Sequence, residues 1–131
     1  MAIQSVIYVF CGAGAGALLR WYLGIVLNPV FPTVPLGTLA ANLLGGYLMG
    51  LALAVISMYE TLPAEFRLLA TTGFLGGLTT FSTFSGEVVT LLARQQVAWA
   101  LATIAAHVVG SLACTGLGIL TVQGLRSWGT A

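Results

Sequence analysis

The chain has almost no charge to present to water. Lysine and aspartate are absent, and 4 arginines, 3 glutamates and 1 histidine carry nearly all of its ionisable chemistry. Charged residues make up 5% of the chain and hydrophobic ones 59%, whereas a soluble domain carries roughly 25% charge. Too little polarity exists to cover a water-facing surface, so the bilayer must serve as solvent. Without a basic cluster, nucleic acid and anionic-lipid recognition are excluded. Cysteine is scarce too. Cys11 and Cys114 both fall in apolar segments, where they read as small packing residues rather than a disulfide or metal site. The opening "MAIQSVIYVF" lacks the basic region of a signal peptide, so it reads as a retained membrane helix.

Proline is rare and concentrated. Pro29, Pro32 and Pro35 fall within "NPVFPTVP", which therefore reads as a loop, with Pro35 suited to a helix's first turn. Four apolar spans follow from such breaks, at about 6–27, 36–57, 68–93 and 97–122. Each reaches the ~20 residues that a crossing needs. The chain reads as one all-α integral membrane domain over 1–131, with no soluble appendage. The second loop, "MYETLPAEFR", holds Glu60, Glu65 and Arg67, and "RQQ" makes a short turn.

The charges that orient membrane helices balance. Arg67 and Arg126 lie on the side of the N-terminal amine, and Arg94 lies on the other side, with Arg20 near the end of the first span. The positive-inside rule gives no preferred direction. Either copies insert both ways and pair antiparallel, or so few charges make the count noisy. Glycines recur four apart at Gly12 and Gly16, Gly46 and Gly50, and Gly73 and Gly77. That spacing puts both glycines on one helix face and predicts close helix contacts.

The third span holds an odd run, "GFLGGLTTFSTFSGE", residues 73 to 87. Glycines and hydroxyl residues are dense enough to predict a helix break between Gly76 and Thr80. Freed backbone groups cost several kcal/mol each at membrane depth unless something satisfies them. Inward carbonyls would suit a small cation. If Gly76 takes a conformation only glycine tolerates, alanine there should be harmful. Phe81 and Phe84 share a helical face, and two ring edges present a weak positive surface to a small anion. The bland reading of both rings is bulk. Asn42, in "NLLGG" one turn after Thr38, offers two N–H donors. It could equally bond across helices for about 0.6 kcal/mol. On the fourth span Thr103, His107, Ser111 and Thr115 recur every four residues, a stripe of donors suited to a partly dehydrated anion or to interhelical bonds. Arg20 can snorkel or concentrate anions at a vestibule. Glu87 has no role legible from sequence.

With "GAGAGALLRW" near the start, "NLLGG" and "TTFSTF", the chain closely resembles the Fluc (CrcB-type) fluoride channels over essentially its whole length. The resemblance implies a double-barrelled channel of two antiparallel subunits with a broken third helix. It implies passive fluoride export across the bacterial inner membrane, against fluoride toxicity. It makes Phe81, Phe84 and Asn42 pore residues, with His107, Ser111 and Thr115 as a polar track beside them. It also implies a structural sodium ion at the break, held by the backbone carbonyls of Gly76 and Thr79. Partners are then fluoride, a second copy and membrane lipid.

Two other classes compete. A small dual-topology multidrug-type exporter normally exchanges protons at a membrane carboxylate, and the first span has none. A non-transporting membrane scaffold accounts for the glycine contacts but not for a break flanked by rings and donors. No nucleophile with a base, and no metal cluster, points to an enzyme.

Overall fold

A computed structural model describes residues 3–59 and 61–129. Glu60 of the second loop and the N-terminal amine counted above lie outside the described residues. Every regular element among the described residues is helical. α1 spans Ile3–Leu27 and α2 spans Leu36–Met58. Between them a 3-10 turn at Asn28–Val30 is shaped by Pro29. The Asn28 side chain accepts from the Gly37 N–H at 2.8 Å, satisfying one donor that the start of α2 leaves open. α6 runs through Val97–Gly129. These three helical stretches are long and apolar enough to cross a membrane. The 33 residues of α6 measure about 50 Å at 1.5 Å per residue. It continues past the boundary near 122 that the sequence suggested, because Gln123 and Arg126 are polar without being helix breakers.

The chain between α2 and α6 is built in pieces. α3, Ala64–Leu68, passes into a π-helical stretch, Leu69–Leu75. A last turn, α4 (Gly76–Leu78), follows, and helix resumes as α5, Phe81–Ala93. α5 ends in a tight reversal. Gln96 N–H reaches Leu91 O at 2.9 Å and Gln95 N–H reaches Leu92 O at 3.0 Å, the paired bonds of a Schellman motif. Gln95 closes it at φ 60, a position glycine usually takes.

Glycines bring backbones together in two places. α1 lies on the π-helical stretch, with the Gly12 Cβ position 3.0 Å from Gly73 Cα and 2.8 Å from Phe74 N. Gly16 similarly faces Phe74 and Leu78, and Gly77 faces Ala13. α2 lies on α6, with the Gly50 Cβ position 3.0 Å from Gly118 Cα and that of Gly46 2.8 Å from Ser111 O. Side chains at these points would push the helices apart. Ala41 and Leu78, both wholly buried, form with Leu75 the centre of one core cluster. Phe84, Val88, Leu91 and Ala100 form another. The outer surface is apolar, with Phe10, Leu18, Leu112 and Leu120 exposed, the inverse of a soluble domain and suited to lipid.

Candidate functional site

The site grows from two residues. Thr79 (φ −80, ψ 154) and Thr80 (φ −148, ψ 116) are extended, between α4 and α5. Gly76, at φ −63 and ψ −35, is ordinary right-handed helix. The glycine pair is therefore not where the backbone departs from the helix, and Gly76 holds no conformation reserved for glycine.

An interrupted helix leaves donors and acceptors unpaired. Several are answered from elsewhere in the fold. The Thr80 N–H donates to Asn42 Oδ1 at 2.7 Å, and Asn42 Nδ2 donates to Thr80 O at 3.0 Å. The Asn42 amide thus grips both backbone groups of Thr80 as a neighbouring strand would. The Gly77 carbonyl, which an unbroken helix would pair with the Phe81 N–H, accepts from Arg20 Nε at 3.0 Å. Thr80 then caps α5, its hydroxyl accepting from the Thr83 N–H at 3.1 Å. Two further carbonyls beside the cavity lose their helical donors in this rearrangement. Gly76 O would have taken the Thr80 N–H, now turned to Asn42, and Thr79 O would have taken the Thr83 N–H, now turned to the Thr80 hydroxyl.

A cavity of ≈ 480 Å³ lies beside the break. Asn42, Phe81, Phe84, His107, Ser111 and Thr115 line it, as do Gly76 and Thr79. Of the residues singled out in the sequence, Arg20, Thr38, Glu87 and Thr103 are not among its walls. Arg20 lines a second cavity of ≈ 430 Å³ with Trp21, Asn28, Thr38 and Thr83, and Thr80 belongs to the walls of both. Phe81 and Phe84 meet edge to face, with centroids 5.5 Å apart at 67°. Phe84 is buried and stacks on the His107 ring at 4.6 Å and 28°, whereas Phe81 is 78% exposed. His107 Nδ1 lies 3.0 Å from Asn42 Nδ2. Thr115 Oγ1 lies 3.0 Å from Gly46 O and 2.9 Å from Ser111 O, so its one proton is shared between α2 and its own helix. Thr103 is wholly buried and bonds back to Trp99 O at 2.8 Å. It is part of the helix interior, away from the cavity.

Three features escaped the sequence. Thr80 is both cap and shared wall, and its signal was a threonine immediately ahead of a helical run. Thr38 Oγ1 donates to Glu87 Oε1 at 2.5 Å, linking α2 to α5 and leaving Glu87 Oε2 buried without a partner among the described residues. The π-helical stretch had no sequence signal at all, although such stretches are frequent at functional sites.

Comparison with known proteins places this geometry in context. The family model described as "CrcB-like protein, Camphor Resistance (CrcB)" matches residues 7–119. A protein of Nitrosospira multiformis named fluoride-specific ion channel FluC is 57% identical over 125 residues, covering 95% of this chain and 98% of that one. Proteins of the same name from Burkholderia cenocepacia and Burkholderia pseudomallei are 54% and 53% identical over 124 residues, covering 95% of this chain and 94% of each of those.

Proposed function

This chain belongs to the CrcB family, and we propose from that premise that it is a fluoride-selective channel, passing the ion passively through the membrane rather than catalysing a reaction. One observation carries the reading. Neutral donors and aromatic edges from α2, α5 and α6 converge on one cavity beside an interrupted helix, with no fixed charge among them. Fluoride is small and strongly hydrated. A conduit for it must replace water with hydrogen-bond donors and still release the ion, which a buried arginine or lysine would prevent. The 57% identity to a named fluoride channel supports the same reading.

The finer parts of the proposal follow. The chain is one domain with four crossings, the third assembled from α3, the π-helical stretch, α4 and α5 and broken at Thr79 and Thr80. Phe81, Phe84, Asn42, His107, Ser111 and Thr115 line the ion path, and Arg20 faces the vestibule at the other cavity. Two copies pair antiparallel, a reading supported by the balanced arginines and by the exposure of Phe81, a large ring beside the cavity that meets Phe84 edge to face. The bacterial inner membrane is the location at which such export lowers cytoplasmic fluoride.

A structural sodium ion fits the donor set. The carbonyls of Gly76 and Thr79 both lose their helical donors at the break, and both residues line the cavity. Neutral oxygen ligands without a carboxylate suit a monovalent cation better than a divalent one. When bound, the ion would satisfy those carbonyls and hold the break, and a second copy would complete its shell.

The test is efflux from liposomes carrying the purified protein, read for fluoride and for chloride. Rapid fluoride loss with chloride retained, and without need of a proton gradient, is the expected result. Equal efflux of the two ions, or strict dependence on a proton gradient, would overturn the proposal.

A further inference from the structure

Where α1 begins it lies beside α3, and a notch of ≈ 330 Å³ opens between them, lined by Gln4, Tyr8, Pro63, Glu65 and Phe66. It shares no residue with the two cavities at the break. The walls follow from local structure. Pro63, extended at φ −54 and ψ 138, turns the second loop into α3. Glu65 and Phe66 are consecutive, so the helix sets them about 100° apart, on adjoining walls. Gln4 and Tyr8 are four apart on one face of α1 and supply the other side.

The notch stands at the membrane boundary. The 25 residues of α1 measure about 38 Å at 1.5 Å per residue, more than the ~30 Å of a hydrocarbon core. Part of α1 therefore stands among headgroups, and the notch marks that end. A glutamate belongs at headgroup level rather than in hydrocarbon, and a tyrosine is the ring of an interfacial belt.

The lining selects for positive charge. Of its five residues one is acidic and none is basic. The Glu65 carboxylate is half-buried and has no hydrogen-bond or ion-pair partner among the described residues. Tyr8 is 40% exposed and Phe66 54%, so both rings have surface left to offer a cation. A metal ion would demand more ligands than one carboxylate, and the described residues hold no group of three metal-ligating side chains. An organic ammonium asks for less: one counter-charge, ring faces, and acceptors for its N–H groups, which the Gln4 amide oxygen and the Tyr8 hydroxyl provide.

We propose that this notch binds the primary ammonium of a phosphatidylethanolamine headgroup, with Glu65 as counter-charge and Tyr8 and Phe66 as ring contacts. The inference goes beyond the channel reading and does not rest on it. A lipid is favoured over a dissolved amine because α1 beside the notch exposes Ile3, Ile7 and Phe10, an apolar surface along which acyl chains can lie. A primary amine is favoured over choline because a quaternary head has no N–H to give to Glu65, Gln4 or Tyr8.

Thermal melts of the detergent-solubilised protein, titrated with short-chain phospholipids, test this. Phosphatidylethanolamine should raise the melting temperature to a plateau. Phosphatidylcholine should need about tenfold more for the same effect, the value of a hydrogen bond to a charged group. Phosphatidylglycerol, which carries no ammonium, and free phosphoethanolamine, which has no acyl chain, should leave the melt unchanged at those concentrations. Glu65→Gln keeps the shape and removes the charge, so half-saturation should move about tenfold upward. Phe66→Leu should move it severalfold, as loss of one exposed cation–π contact would. Equal responses to the ethanolamine and choline lipids, or a wild-type titration from Glu65→Gln, would overturn the inference. A matching response to free phosphoethanolamine would overturn the lipid as occupant. Should Glu65→Gln fail to fold, the headgroup comparison on the wild-type protein decides.

Discussion

Gly76 and Gly77 are neighbours just ahead of the break, and alanine should act in opposite senses at the two. Gly77 lies against α1. A methyl group there would run into the Ala13 carbonyl oxygen, with Ala13 C and Cα each 2.9 Å from the Cβ position. These are backbone atoms in mid-helix, so no side chain can swing away, and relief requires α1 to retreat. The Gly12 and Gly16 contacts share that interface and would loosen with it. At Gly76 the backbone is ordinary helix, and the nearest atom to an added methyl is Thr71 O at 3.8 Å. Overpacking costs about 1–3 kcal/mol, and the gain from replacing a helical glycine is roughly 0.5–1 kcal/mol. Gly77→Ala should therefore lose about 1–2 kcal/mol net, a fall in melting temperature of roughly 3–10 °C for a chain of this size. Gly76→Ala should melt a few degrees higher than wild type or unchanged. Thermal melts of detergent-solubilised protein, followed by tryptophan fluorescence and by survival of the monodisperse elution peak, read both. Gly77→Ala melting at or above wild type would refute the reasoning, as would equal losses at the two positions.

Arg20→Met should leave the Gly77 carbonyl without its donor and destabilise the protein by about 1–3 kcal/mol, visible in the same melt. An unchanged melting temperature would return Arg20 to the role of a snorkelling surface charge. Phe81→Ile and Phe84→Ile keep apolar bulk and remove the ring edge, so each should slow fluoride efflux from liposomes while the protein stays folded. Wild-type rates in both would leave the rings as packing. Gln95→Gly relieves a left-handed residue at the α5 reversal and should raise stability by roughly 0.5–1 kcal/mol, against which an unchanged melt would count.

The long apolar segments were legible because hydrophobicity and proline act locally. Pro29, Pro32 and Pro35 marked a boundary that no distant contact could move. The glycine pairs were legible for a related reason, since spacing alone puts both members on one face, and α1 with the π-helical stretch, and α2 with α6, close on them. What sequence could not yield was any outcome decided between segments. Glycines and hydroxyl residues pointed to a break between Gly76 and Thr80, and the extended residues are Thr79 and Thr80 at the far end of that interval, while Gly76 and Gly77 belong to α4. Flexibility says where a helix can yield. Partners decide where it does, and the amide that receives the Thr80 backbone lies 38 residues earlier, on α2. Asn42 was read from sequence as a donor to an anion or as a bond across helices, and the fold shows contacts of the second kind, to Thr80 and His107. Once those bonds are drawn, the Gly76 and Thr79 carbonyls have given up their helical donors, and His107 Nε2 is buried with no partner among the described residues. The form of the break thus follows from the bonds that Asn42 and Arg20 make to Thr80 and Gly77 rather than from the glycines that first drew attention to it.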